Sequence, residues 1–263
     1  MDVEVDGKRA HAAIGSREAN SDDPVVVLVH GNGLDRTIWQ LQTRHIANRA
    51  RRALAVDLPG HGQSEGQALV TIEEMADWVI RFMDATGVGT ATLVGHSMGA
   101  FVTLEAAARH PDRVDKLCLM GIAETMPVHP ELLAAAERNE LLAPELIVFW
   151  GLGQKAQTGG HPAPGLWVHG ASKILLANAR SGVLYIGLSA CNAYQGAAAA
   201  AALVECPTLL VLGRDDKMAP AKKAGPLAQA IAESETVVID QCGHMMLIER
   251  PNQVHRALMP FLP

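Results

Sequence analysis

The sequence predicts an α/β fold, a mostly parallel doubly wound sheet with helices on both faces. Three observations carry that prediction. Continuous β-branched runs such as PVVVLVHG (24–31) read as strands covered on both sides. Such runs alternate along the chain with helical stretches, the order expected when each crossover returns the chain parallel to itself. The stretch TLVGHSMGAF (92–101) then sets one serine between two glycines where a strand gives way to a helix. At 263 residues, 49% hydrophobic and 19% charged, the chain is long enough to bury a sizeable core around that sheet.

Val3, Val5 and AHAAI (10–14) suggest an opening pair of strands. PVVVLVHG (24–31) is the first core strand, and ALAVDLPGHG (53–62) is the next, ending in Pro-Gly. Thr71-Ile-Glu-Glu74 is a capping box. It opens a helix whose Met75, Trp78, Val79, Phe82 and Met83 fall on one stripe. TATLVG (90–95) is a strand, Met98 to His110 a helix and KLCLMGI (116–122) a strand. PTLLVLG (207–213) and ETVVID (235–240) are two further strands, and a last helix runs from about Asn252 to Phe261.

Between Ile122 and Cys206 the rhythm breaks, with no clear strand. PELLAAAERNELLAPELIVFW (130–150) is helical, with Pro144 starting a second helix or a kink. GLGQKAQTGGHPAPG (151–165) reads as a Gly/Pro-rich loop, and helical pattern resumes from Ala171 to Val204. The sequence therefore divides into core segments 1–122 and 205–263 around a helical insertion at 123–204.

Charge and composition exclude several function classes. The net charge is -6 and no Lys/Arg cluster runs along the chain, which argues against nucleic acid or an anionic membrane as partner. Met1-Asp-Val-Glu-Val-Asp lacks the basic start of a signal peptide, and no run of about 18 apolar residues marks a membrane span. A cytoplasmic location is the expectation. The four cysteines, Cys118, Cys191, Cys206 and Cys242, form no C-x-x-C pair and are expected to be reduced and mostly buried. No metal-ligand spacing, dinucleotide fingerprint or P-loop is present, so neither metal nor cofactor is expected.

Gly95-His96-Ser97-Met98-Gly99 fits G-x-S-x-G between a strand and a helix, the context of a nucleophile elbow. A tight turn strains the backbone at the serine and forces small residues around it, here Gly95, Gly99 and Ala100. The strain lifts Ser97 Oγ above the carboxyl edge of the sheet, in front of the N–H groups that open the next helix. His30-Gly31-Asn32-Gly33 follows the first core strand, where the backbone N–H of Asn32 can join that of Met98 as an oxyanion hole. GRDDKMAP (213–220) and CGHMMLIERP (242–251) each follow a strand and complete the order serine, acid, histidine. In that order Ser97 attacks, His244 takes its proton, and a carboxylate of the Asp215-Asp216 pair holds the imidazole tautomer, with Glu124 as a third candidate.

On HGNG (30–33), DLPGHGQS (57–64), GHSMGA (95–100), GRDDKMAP (213–220) and GHMMLIERP (243–251), the chain resembles the α/β-hydrolase superfamily. The likeness is to its cap-bearing branch of serine esterases and carbon–carbon bond hydrolases, and it covers nearly all of the chain outside the insertion. The resemblance implies that 123–204 is a cap between the sixth and seventh strands. In similar sequences a glycine, two variable residues and an aspartate follow the strand, which implies Asp216 as the acid. Relatives that attack with aspartate, the haloalkane dehalogenases and epoxide hydrolases, do not match Ser97.

The expected function is hydrolysis of an ester-type bond (carboxylic ester, lactone or thioester) in a small, largely apolar substrate through an acyl-enzyme on Ser97. Hydrolysis of a C–C bond of the meta-cleavage type, a hydrolase-fold receptor with slow turnover, and a cofactor-free oxygenase or perhydrolase are the alternatives. Trp150, Trp167, Tyr185 and Tyr194 of the insertion, with Met245, are the candidate substrate contacts. Lys155, Lys173 and Arg180 keep an anionic substrate open. His30, Asp57 and His61 are expected to shape loops rather than react. The assembly is left open, with a homodimer among the options.

Overall fold

A computed structural model describes residues 1–15, 23–49, 51–161 and 166–263. β1 (Asp2–Val5) and β2 (Lys8–Ala13) form an antiparallel hairpin. Its two turn residues, Asp6 and Gly7, have φ of 53° and 71°, the mirror-image turn that Asp-Gly favours because both centres must go left-handed. β3 (Val25–Val29), β4 (Arg52–Val56), β5 (Ala91–His96), β6 (Val114–Met120), β7 (Thr208–Gly213) and β8 (Ser234–Ile239) are mutually parallel. The sheet has eight strands in the order β1-β2-β4-β3-β5-β6-β7-β8, so the expected mostly parallel sheet is present. β3 and β5 are wholly buried, which is why their sequences run apolar instead of alternating.

The strand order reverses at β3. The chain leaves β3 toward β4 on one side and returns to β5 on the other. A crevice opens at the carboxyl ends of strands flanking such a reversal. HGNG follows β3 and Ser97 follows β5, so topology alone brings these two turns together.

The helices are α1 (Gln40–Ala47), α2 (Ile72–Ala85), α3 (Met98–Arg109), α4 (Pro130–Glu137), α5 (Leu142–Gly151), α6 (Gln154–Gln157), α7 (Val168–Ala177), α8 (Val183–Ala193), α9 (Ala197–Ala201), α10 (Gly225–Ala230), α11 (Met246–Glu249) and α12 (Pro251–Phe261). The stripe predicted on α2 is buried throughout. Thr71 Oγ1 accepts the Glu74 N–H as a capping box requires, but Glu74 returns its carboxylate to the N–H of Val70, one residue further out. α4 to α9 all lie between β6 and β7, and Pro144 sits in the first turn of α5, where its missing N–H costs nothing. One expectation changes, and helices are added to those read from the sequence. α1 and α10 carry no strong apolar stripe and were not legible as helices. The stretch 151–165 is not a plain loop, since Gln154–Gln157 forms a helical turn; residues 162–165 of it lie outside the described residues.

Leu93 is fully buried in the middle of β5, opposite Val27 on one side and Leu117 on the other. Leu93→Ala is expected to cost about 2–5 kcal/mol. Urea unfolding checks this, with a lower midpoint at unchanged slope. A loss below about 1 kcal/mol would contradict the packing described for the sheet centre.

Candidate active site

Ser97 stands between β5 and α3 with φ 56° and ψ -121°. A β-carbon is costly at such angles, by about 1–3 kcal/mol, so neighbouring contacts must hold it there. Its own N–H donates to Met120 O at 2.9 Å, and its carbonyl accepts the Ala100 N–H at 2.8 Å. The glycines either side permit the turn. A Cβ on Gly95 would run into Gly99 O and Thr103 Oγ1, and one on Gly99 into the carbonyl oxygens of Val29 and His30. α3 is thereby pressed onto the ends of β3 and β5.

The turn after β3 packs directly on this elbow, since a Cβ on Gly31 would lie 3.1 Å from Ser97 Cβ. His30 fixes the turn from beneath. Its Nδ1–H donates to Gly31 O at 2.8 Å and its Nε2 accepts the Leu58 N–H at 3.1 Å. Burial lowers its pKa to about 4. Asp57, fully buried, accepts from the backbone N–H and Nη1 of Arg36 at 2.7 Å each and from the Gln63 N–H at 2.8 Å. His61 donates Nδ1–H to Pro59 O at 3.0 Å, and burial lowers its pKa to about 3. These three side chains build loops.

His244 lies in the turn between β8 and α11, 2% exposed. Its Nδ1 meets Asp216 Oδ2 at 2.7 Å. The other oxygen of Asp216 accepts the N–H groups of Met218 and Ala219 at 2.8 Å each, which fixes the carboxylate. Burial disfavours a charged His244, but the attraction of Asp216 and its hydrogen bond outweigh burial and raise the pKa above the ordinary value. The carboxylate that meets the imidazole is therefore Asp216. Asp215 is exposed, with its backbone N–H on Cys242 O at 2.8 Å, and Glu124 is half-buried, with its N–H on Lys223 O at 3.0 Å. His244 Nε2 is buried and has no hydrogen-bond partner among the described residues.

Ser97 and His244 line one cavity of about 450 Å³. Gly31, Asn32, His96 and Met245 contribute to it from the sheet side, and Met126, His129, Leu132, Ile147, Trp150, Leu188 and Cys191 from the segment after β6. Met98 N–H opens α3 and has no acceptor within that helix. Asn32 lines the cavity beside it, with its side-chain Nδ2 on Leu184 O at 2.9 Å. His96, fully buried, donates Nε2–H to the carbonyl of His244 at 2.8 Å, and burial lowers its pKa to about 3.

Of the expected substrate contacts, Trp150 and Met245 line the cavity, while Trp167, Tyr185 and Tyr194 do not. Trp167 is 70% exposed and stacks on His169. Tyr185, on α8, is half-buried against the apolar packing. Tyr194 packs on Phe101 with ring centroids 4.9 Å apart, and its hydroxyl donates to Glu105 Oε2 at 2.5 Å. Lys155 donates to Gln241, Lys173 pairs with Glu145, and Arg180 donates to Gly62 O and Ser64 O, so all three point elsewhere. The cation lining the cavity is Lys217, which sequence reasoning missed although it stands next to Asp216 within GRDDKMAP.

A protein-family model described as the alpha/beta hydrolase family matches residues 26–257. The chain belongs to the alpha/beta hydrolase family. This alpha/beta hydrolase is similar in structure to an enol-lactonase from Burkholderia xenovorans LB400, with TM-score 0.88, 25% identity and 99% of each chain covered. It is 29% identical to a pimeloyl-[acyl-carrier protein] methyl ester esterase of Cronobacter sakazakii, over 89% of this chain and 91% of that protein. It is also 29% identical to a 2-hydroxymuconate semialdehyde hydrolase of Pseudomonas sp. (strain CF600), over 85% of this chain and 81% of that protein. Among the described residues no helix of the hydrolase is long and apolar enough to cross a membrane.

Trp150→Ala and Tyr194→Phe are expected to separate. The first enlarges the cavity and shifts the ratio of kcat/KM between short and long p-nitrophenyl esters. The second removes one hydrogen bond to a carboxylate outside the cavity. It leaves that ratio unchanged while lowering stability by roughly 1–2 kcal/mol. Steady-state kinetics on an ester series and thermal unfolding of both variants check the pair.

Proposed function

We propose that this chain hydrolyses an ester-type bond (a carboxylic ester, lactone or thioester) in a small, largely apolar substrate. The observation that carries the reading is the shared cavity. It holds a serine at a strained strand-to-helix turn and an imidazole whose Nδ1 is engaged by buried Asp216 and whose Nε2 has no partner among the described residues. In this reading Ser97 Oγ attacks the carbonyl carbon while His244 Nε2 takes the hydroxyl proton. The negative charge that develops on the carbonyl oxygen is met by the N–H groups of Asn32 and Met98. The tetrahedral adduct collapses, His244 returns the proton to the leaving alkoxide or thiolate, and an acyl-enzyme remains on Ser97. Water then attacks the acyl carbon by the same relay. Residues 123–204 act as a cap that sets which acyl and alcohol groups fit, with Trp150, Leu132 and Ile147 as apolar walls.

The likeness to an enol-lactonase and to a methyl ester esterase supports an ester-type bond. The likeness to 2-hydroxymuconate semialdehyde hydrolase favours a second reading, hydrolysis of an activated C–C bond at the same residues. Comparing turnover of p-nitrophenyl esters with that of a meta-cleavage dienoate separates the two.

A fluorophosphonate is expected to label Ser97 alone, and Ser97→Ala to abolish labelling and most turnover. Asp216→Asn is expected to lower kcat by up to ~10⁴, because the amide favours the wrong imidazole tautomer, while Asp215→Asn costs far less. An adduct on another residue, or the reverse ranking of the two aspartate variants, sinks the assignment.

His244 must be neutral to accept the proton. Its pKa is raised, so kcat/KM is expected to fall on the acid side with an apparent pKa above the ordinary histidine value of about 6.5. Asp216→Asn removes the main cause of that rise and moves the limb to lower pH. A pH–rate profile that stays flat through pH 5 contradicts a histidine base.

A further inference from the structure

Glu249 is a carboxylate with no exposed surface that the steps above do not use. It sits at the end of α11, and its side chain folds back toward the start of the His244 turn. Oε2 accepts the N–H of Gly243 at 3.2 Å and the N–H of Gly153 at 3.0 Å. One oxygen thus joins the residue preceding His244 to the segment that follows α5. The end of α5 itself holds His244 directly, because the His244 N–H donates to Gly151 O at 2.6 Å. The two strands of backbone lie so close that a Cβ on Gly243 would strike Gly153 N and Gly151 O, and a Cβ on Gly153 would lie 3.0 Å from Glu249 Oε2.

Burying a carboxylate is costly, and its Oε1 has no partner among the described residues. An apolar residue of similar size would fasten two segments at least as well if stability were all that was selected. The placement argues for geometry instead. Four polar handles of the His244 turn are engaged from different parts of the chain: Nδ1 by Asp216, the carbonyl by His96, the N–H by Gly151 and the preceding N–H by Glu249. Without Glu249, the Gly243 and Gly153 N–H groups lose their acceptor, and the imidazole can tilt about the Asp216 contact.

We propose that Glu249 is a positioning residue for the base: its buried carboxylate locks the His244 turn to the 151–153 segment and so keeps Nε2 aimed at Ser97. The proposal rests on the serine-hydrolase reading above. A misplacement of about 1 Å between base and nucleophile can cost on the order of 10²-fold in rate.

The test is kinetics of Glu249→Ala, Glu249→Gln and Gly153→Ala, with active sites titrated by a fluorophosphonate so that rates refer to folded, labelled protein. Glu249→Ala is expected to lower kcat per titrated site by about tenfold or more with KM changed by less than about threefold. Glu249→Gln, which keeps an oxygen acceptor for both N–H groups, recovers at least half of that loss on a logarithmic scale. Gly153→Ala, whose added Cβ would press on Gly243 N at 2.9 Å and Glu249 Oε2 at 3.0 Å and so loosen the same junction, lowers kcat in the same sense. A Glu249→Ala variant that is less stable but keeps kcat per titrated site makes Glu249 a structural fastener and overturns the proposal. So does a glutamine variant no better than alanine. Should Glu249→Ala yield no titratable protein, unchanged kcat in Gly153→Ala overturns the proposal in its place. Failure of the parent protein to label at Ser97 sinks the serine-hydrolase reading instead, so the two failures are distinguishable.

Discussion

The turn from β5 into α3 leaves no room for a Cβ on either side of Ser97, and the rest of the site depends on that close approach. Because Gly95 and Gly99 let the helix settle onto the carbonyls of Val29 and His30, the first N–H groups of α3 arrive at the end of β3. The HGNG turn then has to pass within van der Waals contact of Ser97. His30 and Asp57 keep it there by tying it to the loop after β4. The strained serine is therefore a product of packing at the reversal of strand order, and the energy stored in its backbone is met by the burial of β3 and β5 around it.

The histidine is held in a different way. The serine's strained backbone is permitted by the glycines of its own turn, whereas the His244 turn is fixed by residues from the ends of β5, β7 and α5 as well as its own α11. The helical segment between β6 and β7 does more than roof the cavity. Through Gly151 and Gly153 it forms part of the frame in which the imidazole sits.

This contrast also explains how much could be read from the sequence. The strands and the strand-to-helix turn at Ser97 were legible because each is written in local pattern, β-branched runs and paired glycines. The residues alone left Asp215 and Asp216 open; the resemblance to similar sequences implied Asp216, and the structure brings the imidazole to Asp216. The aromatic residues of 123–204 were not legible. Composition marks Trp167, Tyr185 and Tyr194 as large and apolar but does not say which way a helix faces, and packing turned Tyr194 toward Phe101 and Glu105. α1 was missed because its buried face includes Gln42 and Thr43, whose polarity hides the stripe. Glu249 carried one faint signal, an acidic residue interrupting the apolar stretch after His244.

The buried histidines around the cavity bear on how the protein meets acid. His30, His61 and His96 are held neutral by burial, with pKa values near 4, 3 and 3. In the unfolded chain each titrates near the ordinary value of about 6.5. Between these limits the unfolded state binds protons that the native state refuses, so stability is full above the unfolded pKa and is lost as pH falls toward the folded values. Each such group contributes a slope of about 1.4 kcal/mol per pH unit across that window. The loops around Ser97 thus contribute to the loss of stability in acid, together with His255 in α12, whose pKa burial also lowers to about 4.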